Sequence, residues 1–483
     1  MHILAIDQGT TGTTTILFDE KGQITGQAYR EFPQIYPQPG WVEHNPEEIW
    51  QTVQATVAEL LSQYPVKIVA VGITNQRETT VLWDRRTGKP IHNAIVWQCR
   101  RTADFCESLQ NQAPLFRQKT GLPLDAYFSG TKIKWLLENV QNCDRENILF
   151  GTIDSWLIWK LTNGKVHATD FTNASRTLLF NIHEKKWDEE LCDLLDVPLS
   201  ILPQVKKSAA DFGMIQAFPE LKNTPIYGVA GDQQTALFGQ ACFNPGQIKN
   251  TYGTGCFIMM NTGNSPITST NGLITTLAVD GNGEPCYALE GAVFIAGAAI
   301  QWLRDELQIL KNAADSEAAA MAVENNGGVY LVPAFVGLGA PHWNSQARGT
   351  LVGLTRGTNR NHIIRAALEA MAYQTNDVLE LIELESGIKT TELAVDGGAC
   401  SNNFLMQFQA DICKKTIVRP RVTESTALGA AYLAGLQSGV WENTAELTEL
   451  RTIERRFIPE MGKNERTQLV NGWQKAVRQA VVL

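Results

Sequence analysis

Two strand–turn–strand segments, each with glycine and threonine at its tip, lie about half a chain apart in this sequence. In the first, residues 3–6 and 15–18 flank a turn over residues 8–14, and in the second, residues 249–260 surround a Gly-Thr-Gly tip. Short apolar or β-branched arms around a glycine turn are typical of β-hairpins. The shared design predicts two related halves that face each other. We place the boundary near residue 246, at an Asn-Pro-Gly segment, so the predicted domains span residues 1–246 and 247–483.

The length of the chain agrees with this division. Its 483 residues exceed the roughly 250–300 residues at which a single hydrophobic core stops growing. Helical and strand patterns alternate: Pro46 begins a helix that Asn45 can cap and that continues to about residue 63, and residues 68–74 form a buried strand. Further helices are predicted at about 292–310, 362–384 and 403–412. This alternation predicts an α/β class.

Charge and cysteine usage exclude several classes of protein. The net charge is −9 and no long Lys/Arg run is present, which disfavours nucleic acid and anionic membranes as partners. We find no secretory signal, and the stretch from 291 to 303 is too short to span a bilayer, so we expect a cytoplasmic protein without membrane insertion. The nine cysteines contain no C-x-x-C pair, and the seven histidines are dispersed, which disfavours a disulfide framework or a zinc site.

The first glycine turn has the composition of a phosphate-binding loop. Asp7 follows a buried strand and precedes a run of two glycines and several threonines, including Thr10 and Thr11. Glycine lets backbone N–H groups approach phosphate oxygens, and threonine hydroxyls add donors. Asp7 is suited to hold Mg²⁺ through water, because Mg²⁺ takes one or two carboxylates and keeps several waters. A plain Gly/Thr hairpin is the alternative, and the chain has no P-loop motif.

Two further turns favour a nucleotide site. Thr254 lies at the second hairpin tip, where it could hold the same phosphates from the other half. An apolar strand ending at Asp396 runs into Gly397 and Gly398 and then into a helix, which is a common setting for anion or nucleotide contact. Three such turns across two halves resemble the actin/hexokinase-like ATPase fold. In that fold the nucleotide lies in the cleft between two domains.

Polar and aromatic residues beside strand ends predict a site for a small hydroxylated substrate. Asp232 directly follows a strand and a glycine and could remove a proton from a hydroxyl group, although it could instead cap the next helix. Arg77 and Glu78 place a donor fork beside an acceptor, which suits a polyol, with a surface ion pair as the alternative. Trp97, Tyr127 and Phe257 offer aromatic surface for a carbon chain, or they belong to the core; their spacing does not decide this.

Longer motifs resemble the FGGY family of carbohydrate kinases over about residues 3–475. Both signature regions of that family have counterparts here, at residues 127–139 and at 349–354 continuing through 362–369. Segments 39–44, 72–80, 94–102 and 231–234 resemble the branch of the family that phosphorylates glycerol. The resemblance implies two actin/hexokinase-like domains, an interdomain active-site cleft, ATP and Mg²⁺ as cofactors, and assembly as a homodimer or homotetramer.

The resemblance also implies roles for individual residues, with Asp232 as the general base and Asp7 and Asp232 near Mg²⁺. Glycerol would be held by Arg77, Glu78, Trp97, Tyr127, Asp232, Gln233 and Phe257. Phosphates and nucleotide would be held by Thr10, Thr11, Thr254, Gly297, Gln301, Gly398 and Asn402.

One departure and two rival functions remain at this point. Thr14 stands where many bacterial members of the family have arginine, so the first hairpin lacks the cation expected over the phosphates. One rival is a kinase of the same family that acts on a ketopentose or another polyol. The other is a non-catalytic nucleotide-dependent switch, which would share the phosphate turns but would not need Asp232 and the polyol-reading residues.

Overall fold

The computed structural model describes residues 1–141, 144–344 and 346–482. The strands, in chain order, are β1 (His2–Gln8), β2 (Gly12–Asp19), β3 (Ile24–Glu31), β4 (Glu43–His44), β5 (Ile68–Asn75), β6 (Val81–Asp84), β7 (Ala94–Ile95), β8 (Ile148–Gly151), β9 (Ala168–Asp170), β10 (Phe180–Asn181), β11 (Lys186–Trp187), β12 (Gln204–Lys206), β13 (Ile226–Gly231), β14 (Ile248–Tyr252), β15 (Cys256–Gly263), β16 (Ile274–Val279), β17 (Pro285–Val293), β18 (Tyr330–Val332), β19 (Thr350–Val352), β20 (Glu392–Asp396), β21 (Thr416–Pro420) and β22 (Ile453–Phe457). The helices are α1 (Pro46–Gln63), α2 (Ala103–Ser108), α3 (Ala113–Thr120), α4 (Ser129–Asn139), α5 (Ile153–Leu161), α6 (Phe171–Ala174), α7 (Glu189–Leu194), α8 (Asp232–Gly239), α9 (Gly297–Asp305), α10 (Asp315–Met321), α11 (Arg360–Ser386), α12 (Asn403–Cys413), α13 (Ser425–Ser438), α14 (Thr444–Leu450) and α15 (Lys463–Val482).

Two sheets with the same internal strand order form the framework of the molecule. The first has the order β13-β5-β1-β2-β3, and the second contains β21-β20-β14-β15-β17 with β22 and β16 added at its edges. In the first sheet β3, β2 and β1 pair antiparallel, and β5 and β13 continue the sheet parallel to β1. In the second sheet β17, β15 and β14 pair antiparallel, and β20 and β21 continue it parallel to β14. The two related halves predicted from the hairpins are therefore present, and the boundary at residue 246 stays a prediction.

The elements predicted from local patterns form largely where expected. Helix α1 begins at Pro46, and the Asn45 side chain accepts a hydrogen bond from the Glu47 N–H at its N-terminus. The first hairpin has a tighter turn than predicted, because Gln8 pairs with Thr13, which leaves residues 9–12 between the paired positions. The predicted helix at 292–310 is shorter in the structure: β17 continues to Val293, paired with β15, and α9 begins only at Gly297. Strand pairing at the sheet overrides the helical pattern here.

A late helix packs on the first sheet rather than on the second. Helix α13 lies against β1, β5, β13 and α8, so the chain returns to the first half after completing most of the second sheet. Glycines permit this close approach: a Cβ at Gly72 would lie 2.2 Å from the Ala430 carbonyl oxygen, and one at Gly429 would lie 1.9 Å from the Thr235 carbonyl oxygen. The two halves are thus tied together by backbone-to-backbone packing of helices α8 and α13. Among the described residues, no helix is both long and apolar enough to cross a membrane.

Substitution of Gly429 by alanine is expected to destabilise the protein by about 1–3 kcal/mol, because the added methyl group would force α13 away from α8. Urea unfolding followed by tryptophan fluorescence measures the change. Gly462→Ala is the matched control, since a Cβ there has no neighbour within 4 Å, and it should leave the unfolding midpoint unchanged. Equal midpoints for the two variants would contradict the tight packing of these helices.

Candidate active site

The tip of the first hairpin is held in shape by backbone and amide hydrogen bonds. The Gly9 N–H donates to the Gly12 carbonyl at 2.9 Å. The Gln76 amide donates to the Gln8 side chain at 3.0 Å and to the Gly9 carbonyl at 3.2 Å. Thr10 accepts a hydrogen bond from the Trp97 indole N–H at 3.0 Å, whereas Thr11 is exposed. Contacts from Gln76 and Trp97 therefore hold the loop, and Thr11 at its tip is exposed.

The tip of the second hairpin is joined to the start of α9. The Thr254 carbonyl accepts from the Ala296 and Ala298 N–H groups, and the Gly253 carbonyl accepts from the Gly297 N–H at 3.1 Å. A Cβ at Gly297 would lie 2.6 Å from the Gly253 carbonyl oxygen, so only glycine allows this contact without a shift. Gln301 is exposed one turn further along α9. The predicted nucleotide residues Thr254, Gly297 and Gln301 therefore belong to one local unit.

The third turn lies beside the second, because β20 pairs with β14 and places Asp396 next to Thr251. Gly397 has φ +83°, and a Cβ there would lie 2.4 Å from the Tyr252 carbonyl oxygen, so this turn requires glycine. Gly398 is exposed, and a Cβ there would have no neighbour within 4 Å. The Asn402 side chain caps α12 by accepting from the Leu405 N–H at 2.9 Å. The second and third turns are thus adjacent, as a shared nucleotide site requires.

Arg77 and Glu78 are buried, so a surface ion pair is the wrong interpretation for them. Their side chains are 2% and 1% exposed. The Arg77 guanidinium donates to Gln234 at 3.2 Å and to both oxygens of Glu290, at 2.5 and 3.1 Å. Its Nε lies 3.3 Å from Oδ1 of Asp232. The structure therefore brings three of the predicted substrate residues, Arg77, Glu78 and Asp232, into one polar cluster.

Two members of this cluster, Arg176 and Glu290, were not predicted from the sequence. Arg176 donates through Nε to Glu78 at 2.6 Å and through Nη2 to Glu290 at 3.0 Å, and its side chain is fully buried. Burial alone would raise the pKa of Glu290, but Arg176 and Arg77 outweigh it and lower that pKa to about 2. A glutamate within the apolar run of β17 was the available signal, because a buried charge needs a partner.

Asp232 is the first residue of α8, and Gly231 rather than Asp232 occupies the N-cap position. The carboxylate accepts from the Gln233 N–H at 2.7 Å, so it does contact the free N–H groups at the helix start. Its side chain remains 31% exposed, which the buried Glu78 and Glu290 are not. Of the three carboxylates paired with Arg77, Asp232 is therefore the most exposed.

Aromatic side chains and a buried lysine complete this region. Trp97 and Tyr127 meet edge to face with ring centroids 5.6 Å apart, and both are partly exposed. Lys249, which was not predicted as a site residue, donates to the Gln233 side chain, to the Thr251 hydroxyl at 2.8 Å and to the Phe257 carbonyl at 3.3 Å. It therefore ties Gln233 of the first half to Phe257 of the second. Burial lowers the pKa of Lys249 to about 8, against the opposing effect of Asp396 and Asp232.

Asp7, at the first hairpin, lies close enough to Asp232 and Glu424 for their charges to affect its ionisation. Burial, together with repulsion from Asp232 and Glu424, raises the pKa of Asp7 to about 8. Asp7 and Asp232 offer the carboxylate oxygens that Mg²⁺ prefers. The described residues contain no group of three or more His, Cys, Asp or Glu side chains arranged to hold a metal ion. These donors therefore fit a Mg²⁺ that takes one or two carboxylates and completes its shell with water and phosphate.

Comparison with known proteins assigns the family. Residues 2–239 match the N-terminal domain, and residues 248–438 the C-terminal domain, of the FGGY family of carbohydrate kinases. The chain belongs to this family. It is 58% identical to the glycerol kinase of Carboxydothermus hydrogenoformans, with 99% of this chain and 98% of that protein covered. It is 56% identical to the glycerol kinase of Shewanella amazonensis, with 99% of each covered.

Solved kinase structures share the fold. The crystal structure of Plasmodium falciparum glycerol kinase with ADP superposes with a TM-score of 0.92 at 38% identity, covering 100% of this chain and 98% of that one. A ligand-bound xylulose kinase from Lactobacillus acidophilus superposes with a TM-score of 0.88 at 23% identity, covering 100% and 98%. The two-domain α/β architecture predicted for this chain, with actin/hexokinase-like halves, is therefore confirmed.

Proposed function

We propose that the protein transfers the γ-phosphate of ATP to a terminal hydroxyl of glycerol, forming sn-glycerol 3-phosphate. The observation that carries the proposal is the cluster of Arg77, Glu78 and Asp232, in which the Asp232 carboxylate is 31% exposed while the Arg77 and Glu78 side chains are buried. Relatives that are 55–58% identical over nearly the whole chain are glycerol kinases, which supports glycerol over a ketopentose or another polyol.

The test is ATP-dependent formation of glycerol 3-phosphate by the purified protein. We expect ADP release to depend on glycerol and Mg²⁺, and to be far faster with glycerol than with xylulose, ribulose or erythritol at equal concentration. Turnover that prefers one of those compounds would move the substrate assignment to the rival kinases. ATP turnover that is independent of any polyol would favour a nucleotide-dependent switch.

The proposed recognition of glycerol combines charged hydrogen-bonding groups with an apolar wall. Arg77 donates and Glu78 accepts, and the two together match hydroxyl groups that do both. Tyr127 and Gln233 assist them, while Trp97 and Phe257 flank the carbon atoms. A substrate that lacks one hydroxyl would leave a buried polar group of the site unpaired. The kcat/KM for such a substrate should therefore be much lower than for glycerol.

In the proposed mechanism Asp232 accepts the proton of the attacking hydroxyl as the phosphoryl group arrives. Arg77, 3.3 Å away, holds the carboxylate in place. Phosphoryl transfer depends mainly on positioning and on stabilising negative charge. Closure of the two halves around both substrates would exclude water and so suppress ATP hydrolysis. We propose residues 1–246 and 247–483 as the halves that close.

ATP would lie across the three glycine turns, with Mg²⁺ near Asp7 and Asp232. Mg²⁺, when bound, supplies positive charge to the phosphate oxygens. Thr14 lacks the charge that an arginine would provide, and the buried Lys249 is a cation that the second half contributes close to Asp232. The residues proposed to contact phosphates or nucleotide are Thr10, Thr11, Thr254, Gly297, Gln301, Gly398 and Asn402.

Gly297→Ala is expected to raise the KM for ATP by about 10-fold or more, with little change in the KM for glycerol, because a shift of about 1 Å near a reacting group can cost about 10²-fold. The methyl group would push α9 from the second hairpin tip. Steady-state kinetics with each substrate varied in turn measures both constants. Gly357→Ala is the control, since a Cβ there has only the Thr355 hydroxyl, at 3.8 Å, nearby. Equal ATP constants for the two variants would contradict the placement of Gly297.

Assembly into a homodimer or homotetramer stays a prediction from the family resemblance, and a cytoplasmic location stays a prediction from the sequence. Light scattering coupled to gel filtration measures the mass of the assembly. A mass near 53.4 kDa, the mass of one chain, would contradict the prediction, and so would a mass above that of four chains.

A further inference from the structure

Glu290 belongs to the second half of the chain, whereas the other members of the polar cluster, Arg77, Glu78, Arg176 and Asp232, belong to the first. It lies on β17, where it pairs with Met259 and Ile274, and its side chain is 1% exposed. Its partners Arg77 and Arg176 both lie in the first half, 213 and 114 residues earlier in the chain. Among the described residues, Glu290 is the one side chain of the second half that accepts a hydrogen bond from either arginine.

The geometry of this contact determines which way the Arg77 guanidinium faces. Glu290 binds the end of the guanidinium group, with Oε2 on Nη1 and Oε1 on Nη2. Gln234 takes the second N–H of Nη1. The Nε edge of Arg77 is consequently turned toward Asp232, at 3.3 Å, and Glu78, at 3.8 Å. An end-on carboxylate thus fixes the plane of the group that is proposed to read glycerol.

Arg176 holds Glu78 and Glu290 at the same time. Its Nε donates to Glu78, and its Nη2 donates to the Glu290 oxygen that Arg77 also binds. Its Nη1 is buried and has no hydrogen-bond partner among the described residues. Two carboxylates and two guanidinium groups therefore alternate in the order Glu78, Arg176, Glu290, Arg77, and their formal charges cancel.

We propose that Glu290 is a positioning residue that makes glycerol recognition depend on docking of the two halves. The proposal rests on the proposed function. When the second half is docked, Glu290 binds both terminal nitrogens of Arg77. It also binds Arg176, which in turn donates to Glu78. Without that contact the two arginines lose a shared carboxylate, and the polar groups that read glycerol lose their fixed orientation. Substrate affinity is thereby set in part by a residue of the opposite domain.

Stability alone does not account for four buried charges at this position. Replacing a buried ion-pair network with apolar residues of similar volume is often neutral or stabilising, because each charge loses its hydration on burial. The network does, however, hold each guanidinium group in one orientation, because a bidentate arginine–carboxylate pair has a defined geometry. A role in orientation therefore explains both the composition and the location of the cluster.

The experiment compares Glu290→Gln with Glu383→Gln. Glutamine keeps the shape of the side chain but places an N–H₂ group against one guanidinium nitrogen. Glu383 is the matched control, because it is 8% exposed, accepts from Lys415 and Thr390, and lies in the second half outside the cluster. We expect Glu290→Gln to raise the KM for glycerol at least about 10-fold, as loss of a buried charge partner commonly does, while the KM for ATP changes less than about 2-fold. Glu383→Gln should leave both constants unchanged.

A double variant, Arg176→Gln with Glu290→Gln, separates orientation from charge balance. It restores the net charge of the cluster but not the end-on clamp on Arg77, so the KM for glycerol should stay high. Recovery of the wild-type KM would overturn the proposal, as would an unchanged glycerol KM in Glu290→Gln or equal changes in both substrates' constants. If Glu290→Gln fails to fold, the double variant, with its balanced charge, supplies the same test. Failure of the wild-type protein to phosphorylate glycerol would instead refute the proposed function.

Discussion

Replacement of Asp232 by asparagine is expected to lower kcat by about 10²–10⁴-fold, which is the usual contribution of a general base. Asparagine has the same shape, and its oxygen can still accept the Gln233 N–H, but it cannot take a proton from the substrate. The KM values for glycerol and ATP should change much less than kcat. Because the side chain is 31% exposed at the start of α8, the variant should fold normally.

Single-turnover measurements with saturating ATP and glycerol test this expectation directly. Asp280→Asn serves as the control, since Asp280 caps the turn between β16 and β17 by accepting from Asn282 and Glu284. That variant should keep wild-type turnover. If Asp232→Asn turned over nearly as fast as the wild type, another group would have to remove the proton.

Replacement of Arg77 by alanine is the second large effect that we expect. Its removal leaves Glu290 and Glu78 with Arg176 as their shared cation, and it removes the donor proposed to read glycerol. Loss of one partner from a buried, hydrogen-bonded charge pair typically costs about 2–5 kcal/mol, so kcat/KM for glycerol should fall by about 30-fold or more. The affinity for ATP should change far less, because Arg77 lies with the substrate cluster and not with the glycine turns.

Arg365→Ala controls for the general cost of removing a paired, mostly buried arginine, since the Arg365 side chain is 14% exposed. Arg365 pairs with Glu369 at 2.8 Å and donates to carbonyl groups near the end of α10, away from the cluster. It should lower stability without a selective effect on glycerol. Steady-state kinetics and thermal unfolding of both variants provide the comparison. A collapse of ATP affinity in Arg77→Ala with intact glycerol affinity would show that Arg77 is misplaced in the proposed site.

Local signals predicted much of the framework. Asn45 and Pro46 mark the start of α1 because a cap and a first-turn proline act within a few residues. Both hairpins and the turn after β20 were recognisable because glycine and β-branched residues limit the local backbone. The boundary of α9 was less accurate, since residues 292 and 293 are held in β17 by pairing with β15, which is distant in sequence.

The substrate cluster was predicted only in part. Arg77, Glu78 and Asp232 follow strands and glycine in recognisable patterns, and the family motifs pointed to them. Arg176 and Lys249 have no such local marker. Whether a charged side chain is a surface group or a buried partner depends on what packs over it, and that is a property of the folded chain.

The sequence by itself determined the two hairpins, the three glycine turns and the family, because each of these rests on neighbouring residues or on contiguous motifs. Only the tertiary structure decided that Glu290 of the second half meets Arg77 and Arg176 of the first, that Lys249 joins Gln233 to Phe257, and that α13 returns to pack on the first sheet. Those contacts join residues far apart in the chain. A charged group that is buried on folding is costly unless it is paired, and its partner can come from any part of the chain that packs beside it. Such contacts therefore depend on the tertiary fold and not on neighbouring residues.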